Sequence, residues 1–121
     1  MRVAGESENY GTEQEHLNNV FGARLRITSL RAAAGPGIEL LEYLAPRDGS
    51  SFPVDERAKD VVHRQTAVLA GQADAAAKRF STAHAKFVSF GVVSESDGQL
   101  GFCKAFLVRD PDGHVILVEE K

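Results

Sequence analysis

Cysteine is nearly missing from this chain: Cys103 stands alone, and there is no tryptophan. A single thiol excludes an intramolecular disulfide and any zinc knuckle built on several cysteines, and it makes a reducing, cytoplasmic setting the default expectation. Long apolar runs are lacking too. No stretch approaches the roughly 18 residues a membrane span requires, and the first residues lack the basic-then-apolar order of a signal peptide, so no membrane association is expected. Nor is positive charge in excess. Lys and Arg number 14 against 17 Asp and Glu, a formal net charge of -3. With both signs interspersed and no aromatic-basic signature, the chain offers no cationic surface for phosphate backbones, and nucleic acid is not an expected partner.

What is there suffices for one compact domain. A chain of 121 residues can bury roughly two-thirds of its unfolded surface without staples. Residues 62–70 alternate roughly, with His63, Gln65 and Ala67 on one strand face, and Gly71 breaks the run. Asp74 then precedes Ala75, Ala76, Ala77, Lys78, Arg79 and Phe80, good helix formers with an acidic start. Residues 86–93 and 101–109 read as strands separated by the polar turn 94–98. Asp110-Pro111-Asp112-Gly113 is a turn, with proline pre-setting φ and glycine free to take a left-handed conformation, so residues 114–119 return as a last strand.

The first part of the chain is organised similarly. Thr12 and Glu15 have the spacing of a capping box, Leu17, Val20 and Phe21 form an apolar stripe, and Gly22 is a suitable stop. Residues 24–30 and 38–44 read as a hairpin joined across 32–37, and residues 1–7 as a short strand. The charged stretch 47–60, with one proline at Pro53, reads as an exposed linker. The chain thus contains a strand-rich unit repeated in pattern at about 60 residues.

The run from Phe106 through Asp110-Pro111-Asp112-Gly113 to Ile116 strongly resembles the closing hairpin of vicinal oxygen chelate proteins: glyoxalases, bleomycin-resistance proteins and extradiol dioxygenases. His63 and the helix at Asp74 to Phe80 fall where that family expects them. Upstream, the segments Leu17 to Ile27 and Ile38 to Pro46 look like the family's inserted helix and its third and fourth strands. The resemblance implies an α+β fold of two βαβββ modules curled into a cup. Module one would occupy 1–46 and be incomplete, 47–60 would link, and module two would occupy 61–121. Arg2-Val3-Ala4-Gly5 already resembles the family's second strand. The opening strand and helix would therefore be encoded upstream of Met1 or supplied by a partner subunit.

The family's metal-dependent members line the cup with four ligands, of which Glu39 and His63 carry over here. The final acidic ligand corresponds to Leu117, which has no donor atom, and Glu119 lies on the same strand face about 7 Å further along. The resemblance implies a divalent metal (zinc, nickel, iron or manganese) held by His63 and Glu39. In lyase or dioxygenase chemistry of that kind, the metal polarises a carbonyl while a carboxylate, here Glu39, moves a proton. Gln65 shares the His63 face. Tyr43 alternates onto the Glu39 face, and Phe102, Lys104 and Phe106 alternate together, which would give an aromatic-lined ligand pocket. The alternative is a metal-free protein that sequesters a small molecule, which Leu117 favours. His16, His84 and His114 read as solvated, and Cys103 as a small apolar strand residue. A missing opening strand would leave a bare sheet edge, so a homodimer or strand-exchanged assembly is expected.

Overall fold

Alternation, glycine and one acidic turn set out most of the elements, and the structure, a computed structural model describing residues Met1–Lys121, follows them closely. The chain divides into two units, Met1–Ser50 and Ser51–Lys121. The first holds β1 (Arg2–Tyr10), α1 (Thr12–Asn18), β2 (Arg24–Arg31) and β3 (Ile38–Ala45). Its sheet runs β1-β2-β3, antiparallel throughout. The register aligns Asn9, Leu25 and Tyr43 on one face, with Ser7, Ile27 and Leu41 in the next row and Gly5, Ser29 and Glu39 beyond. On the other face Arg26 pairs with Glu42 at 2.9 Å, and Arg24 donates twice to Glu8, at 2.7 and 3.1 Å. Such exposed cross-strand pairs support the register more than they stabilise the sheet.

The second unit holds β4 (Gln65–Leu69), α2 (Ala73–Thr82), β5 (Lys86–Phe87), β6 (Val93–Ser94), β7 (Lys104–Arg109) and β8 (Val115–Glu120). Its sheet order is β4-β8-β7-β5, with β6 also on β7; β4 and β8 are parallel and the other pairs antiparallel. This is the βαβββ order expected for the C-terminal half, and the whole is α+β with two open sheets. The two strand faces differ sharply. Phe106, Val108 and Val118 turn toward α2 and form the core with Ala73, against which Val68, Phe80, Phe87 and Ile116 also pack. The Phe106 ring meets Phe80 edge-on at 5.8 Å and Phe87 at 5.4 Å. The start of α2 is tied to the sheet by a carboxylate: Glu120 Oε2 accepts from the Ala73 N–H at 2.6 Å, satisfying a donor that no N-cap side chain reaches.

Several expectations are corrected. Thr12 lies inside α1, with Gly11 as N-cap and no side-chain cap, so the capping box does not form. The helix stops at Asn18 because Asn19 takes a left-handed conformation (φ 52°), so Val20 and Phe21 lie beyond it; Leu17 and Phe21 are exposed. Strand 86–93 splits into β5 and β6. Between them Ser89 Oγ donates to Gly91 O at 2.8 Å and accepts from Leu107 N–H at 3.1 Å, a side chain taking over ladder bonds. The opening strand reaches Tyr10 instead of Ser7, and β4 begins at Gln65, leaving His63 just before it. Finally, 47–60 is not uniformly an exposed linker: residues from Ser51 belong to the second unit, and Glu56 is buried.

Phe106→Ala removes the ring around which α2 and β5 pack, with exposure of only 1 %, and is expected to cost about 3–5 kcal/mol. Urea unfolding followed by far-UV circular dichroism checks this.

Candidate functional site

The face of the second sheet opposite α2 carries Gln65, Ala67 and Leu69 on β4, beside Val115, Leu117 and Glu119 on β8 and Arg109, Leu107 and Ala105 on β7. The segment from Ser51 to Arg64 adds to it through a chain of turns. Glu56 N–H donates to Pro53 O at 3.3 Å, Asp60 N–H to Arg57 O at 2.9 Å and His63 N–H to Asp60 O at 3.0 Å, while Asp60 Oδ2 accepts from Arg57 N–H at 2.8 Å. These turns deliver Glu56 and His63 to one place.

There the Glu56 side chain, with no exposed surface, lies between Arg109 and His63. One carboxylate oxygen accepts from Arg109 Nη2, the other meets His63 Nδ1. Arg109 Nη2 also donates to the Glu56 main-chain carbonyl at 2.9 Å, and Nη1 donates to Gly113 O at 2.7 Å. Phe52 adds its ring edge-on to His114 at 6.0 Å and under the Arg109 guanidinium at 5.9 Å. Gly113, at φ 101°, is required here: a Cβ would stand 3.1 Å from Phe52 Cβ. The hydrogen bond from Arg109 holds the Glu56 carboxyl below its usual range; burial opposes this, and the His63 bond adds to it.

Of the residues expected at a site, His63 and Gln65 come together, with His63 Nε2 3.4 Å from Gln65 Oε1. Leu117 lies on the same face. Lys104 and Phe106 do not line a ligand pocket: their face is the helix face, where Phe106 is buried and Lys104 pairs with Asp74, which raises the ammonium above its ordinary value. Phe102 precedes β7, half-buried. In the first unit Glu39 is exposed on β3 with Ser29 Oγ at 3.5 Å, and the Tyr43 hydroxyl accepts from Asn18 Nδ2 at 2.7 Å. Glu56 and Arg109 are not among the residues expected at a site. The available signal was Arg109 itself, a cation closing the apolar strand Phe106-Leu107-Val108 and therefore in need of a counter-charge.

The fit of a divalent metal can be judged from the donors. On this sheet face His63 offers one ring nitrogen, Nε2, which faces Gln65 Oε1, Leu117 offers nothing, Glu56 is engaged twice, and Glu119 lies 3.7 Å from Lys121. The donor set of this sheet face therefore does not fit a divalent ion. Elsewhere in the unit Asp110, Asp112 and His114 bring three ligand atoms within 4.8 Å, close enough to hold a cation. The Asp110 carboxylate is, however, already closing the hairpin: it accepts from Asp112 N–H at 3.0 Å and His114 N–H at 2.9 Å, and meets His114 Nδ1 at 3.0 Å.

A βαβββ unit preceded by a three-stranded antiparallel sheet is the arrangement of the vicinal oxygen chelate fold, and this chain has that fold. Among solved structures it is similar to a glyoxalase family protein from Bacillus cereus, with a TM-score of 0.76 and 16% identity over 98% of this chain and 76% of that one. No family model matches the sequence, and no curated protein matches it. At that identity the likeness establishes the fold. No helix is long and apolar enough to cross a membrane.

Glu56 supplies a pH test. Its carboxyl is lowered in the folded state relative to the unfolded value of about 4.3. Its contribution is therefore complete above that pH and is lost as pH falls through the lower folded-state value. Chemical denaturation should show stability declining into acid below about pH 4.3, with a flatter acid limb in Glu56→Gln.

Proposed function

We propose that the protein binds a small molecule on the sheet face of its second unit, with His63 and Gln65 as polar anchors beside the apolar Ala67, Leu107 and Leu117. A mostly apolar surface with a few convergent polar groups is the usual composition of a small-molecule site. The observation that carries this reading is the buried Glu56–Arg109 pair, which holds a histidine at the rim of that surface with its second ring nitrogen turned toward the exposed Gln65. A glyoxalase-like fold supports a ligand-binding role and leaves the chemistry to the particular residues.

The second reading is metal-dependent lyase or dioxygenase chemistry using zinc, nickel, iron or manganese. The Glu56 carboxylate on Nδ1 of His63 favours it, because metal-binding histidines are commonly oriented by a carboxylate on the other nitrogen. Leu117 argues against it. Elemental analysis of the purified protein separates the two. We expect no stoichiometric transition metal. Near-stoichiometric metal lost in His63→Ala would establish the metal reading. Under the binding reading, addition of small aromatic alcohols should move the amide resonances of Gln65 and Ala67, and His63→Ala should weaken binding about tenfold.

A cytoplasmic setting goes with the single exposed thiol of Cys103. We also propose self-association, on the ground that β1 and β3 are both edge strands of the first sheet. Light scattering at micromolar concentration should give the mass of more than one chain; the mass of a single chain refutes this.

A further inference from the structure

His63 has two ring nitrogens in different surroundings. Nδ1 faces the carboxylate of Glu56, and that carboxylate is not free to turn away, since Arg109 binds both its other oxygen and the main-chain carbonyl of the same residue. Arg109 is in turn tied to the hairpin at Gly113 O. Nε2 looks the other way, toward the exposed Gln65. An ionised carboxylate only accepts hydrogen bonds, so the hydrogen of the contact belongs to Nδ1, and in a neutral imidazole Nε2 is then a bare acceptor.

We propose that Glu56 is a positioning residue that fixes His63 in the Nδ1–H tautomer, so that the ligand of this face presents a hydrogen-bond donor, a hydroxyl, phenol or N–H group, to Nε2. The donor preference rests on the ligand-face reading above; the positioning role does not. In the structure Gln65 Oε1 stands 3.4 Å from Nε2; with the amide turned over its NH2 would face that nitrogen instead, and a ligand donor takes the same place. A carboxylate ligand would set lone pair against lone pair and is rejected, the kind of mismatch by which sites discriminate.

Two-bond proton–nitrogen NMR of the ¹⁵N-histidine-labelled protein at mildly alkaline pH, where imidazoles are ordinarily neutral, reads the tautomer directly. His63 should show a hydrogen on Nδ1 and an unprotonated Nε2. Glu56→Gln should lose that preference, and Glu56→Asp should restore it in part. An Nε2–H tautomer in the wild type overturns the positioning role even if Glu56→Gln does not fold, as does a Glu56→Gln protein with an unchanged tautomer. Phenol and benzoate then probe the face. Phenol should shift His63 Nε2, with affinity about tenfold lower in Glu56→Gln, and benzoate should not shift it. Equal binding of benzoate overturns the donor preference. Phenol leaving His63 unmoved while the tautomer holds overturns the ligand-face reading and sustains the positioning role.

Discussion

A carboxylate without exposed surface is costly unless its charge is met on every side, and Glu56 is met by Arg109 on one oxygen and His63 on the other. That requirement organises one end of the second unit. It fixes the segment before β4, which has little apolar surface of its own to bury, and it fixes Arg109 at the end of the closing hairpin. It also orients the one histidine that borders the open sheet face. Removing any of the three leaves a charge or a polar group stranded, so loop position, hairpin end and ring orientation stand or fall together.

The parts of this molecule that were legible in the sequence are those decided locally. Asp110 to Gly113 closes a hairpin through its own backbone and one aspartate side chain, and the alanine-rich run of α2 needs no distant partner to be recognised. Alternation likewise gave the strands and the membership of each face. What alternation could not say is which face would receive α2. Lys104 and Phe106 do share a face, but it is the one that the helix fills. The same limit hid Glu56. In a run of charged residues nothing local distinguishes the carboxylate that meets Arg109, which stands fifty-three residues away, from neighbours that remain in solvent. The capping box failed for a related reason: Thr12 and Glu15 have the right spacing, yet the chain enters the helix one residue earlier, at Gly11.

The fold and the chemistry separate cleanly here. The vicinal oxygen chelate arrangement is carried by the hairpin, the helix and the parallel pairing of β4 with β8, none of which requires a metal. What would make the surface reactive or merely receptive lies in single positions: Leu117 without a donor atom, His63 with a supported ring, Gln65 beside it. A scaffold of this kind keeps its shape while such positions vary, so the neighbours of His63 are more informative about this chain than its architecture.

The strand at the middle of the second sheet is also the last of that sheet to be made. β8 lies between β4 and β7, and the parallel pair β4–β8 spans the length of the unit. During synthesis β4 emerges with its apolar side uncovered and must wait for residues some fifty positions later before it has a strand to pair with, whereas each strand pair of the first sheet can close as soon as its second strand appears. The two units therefore differ in how long they stay exposed on the ribosome.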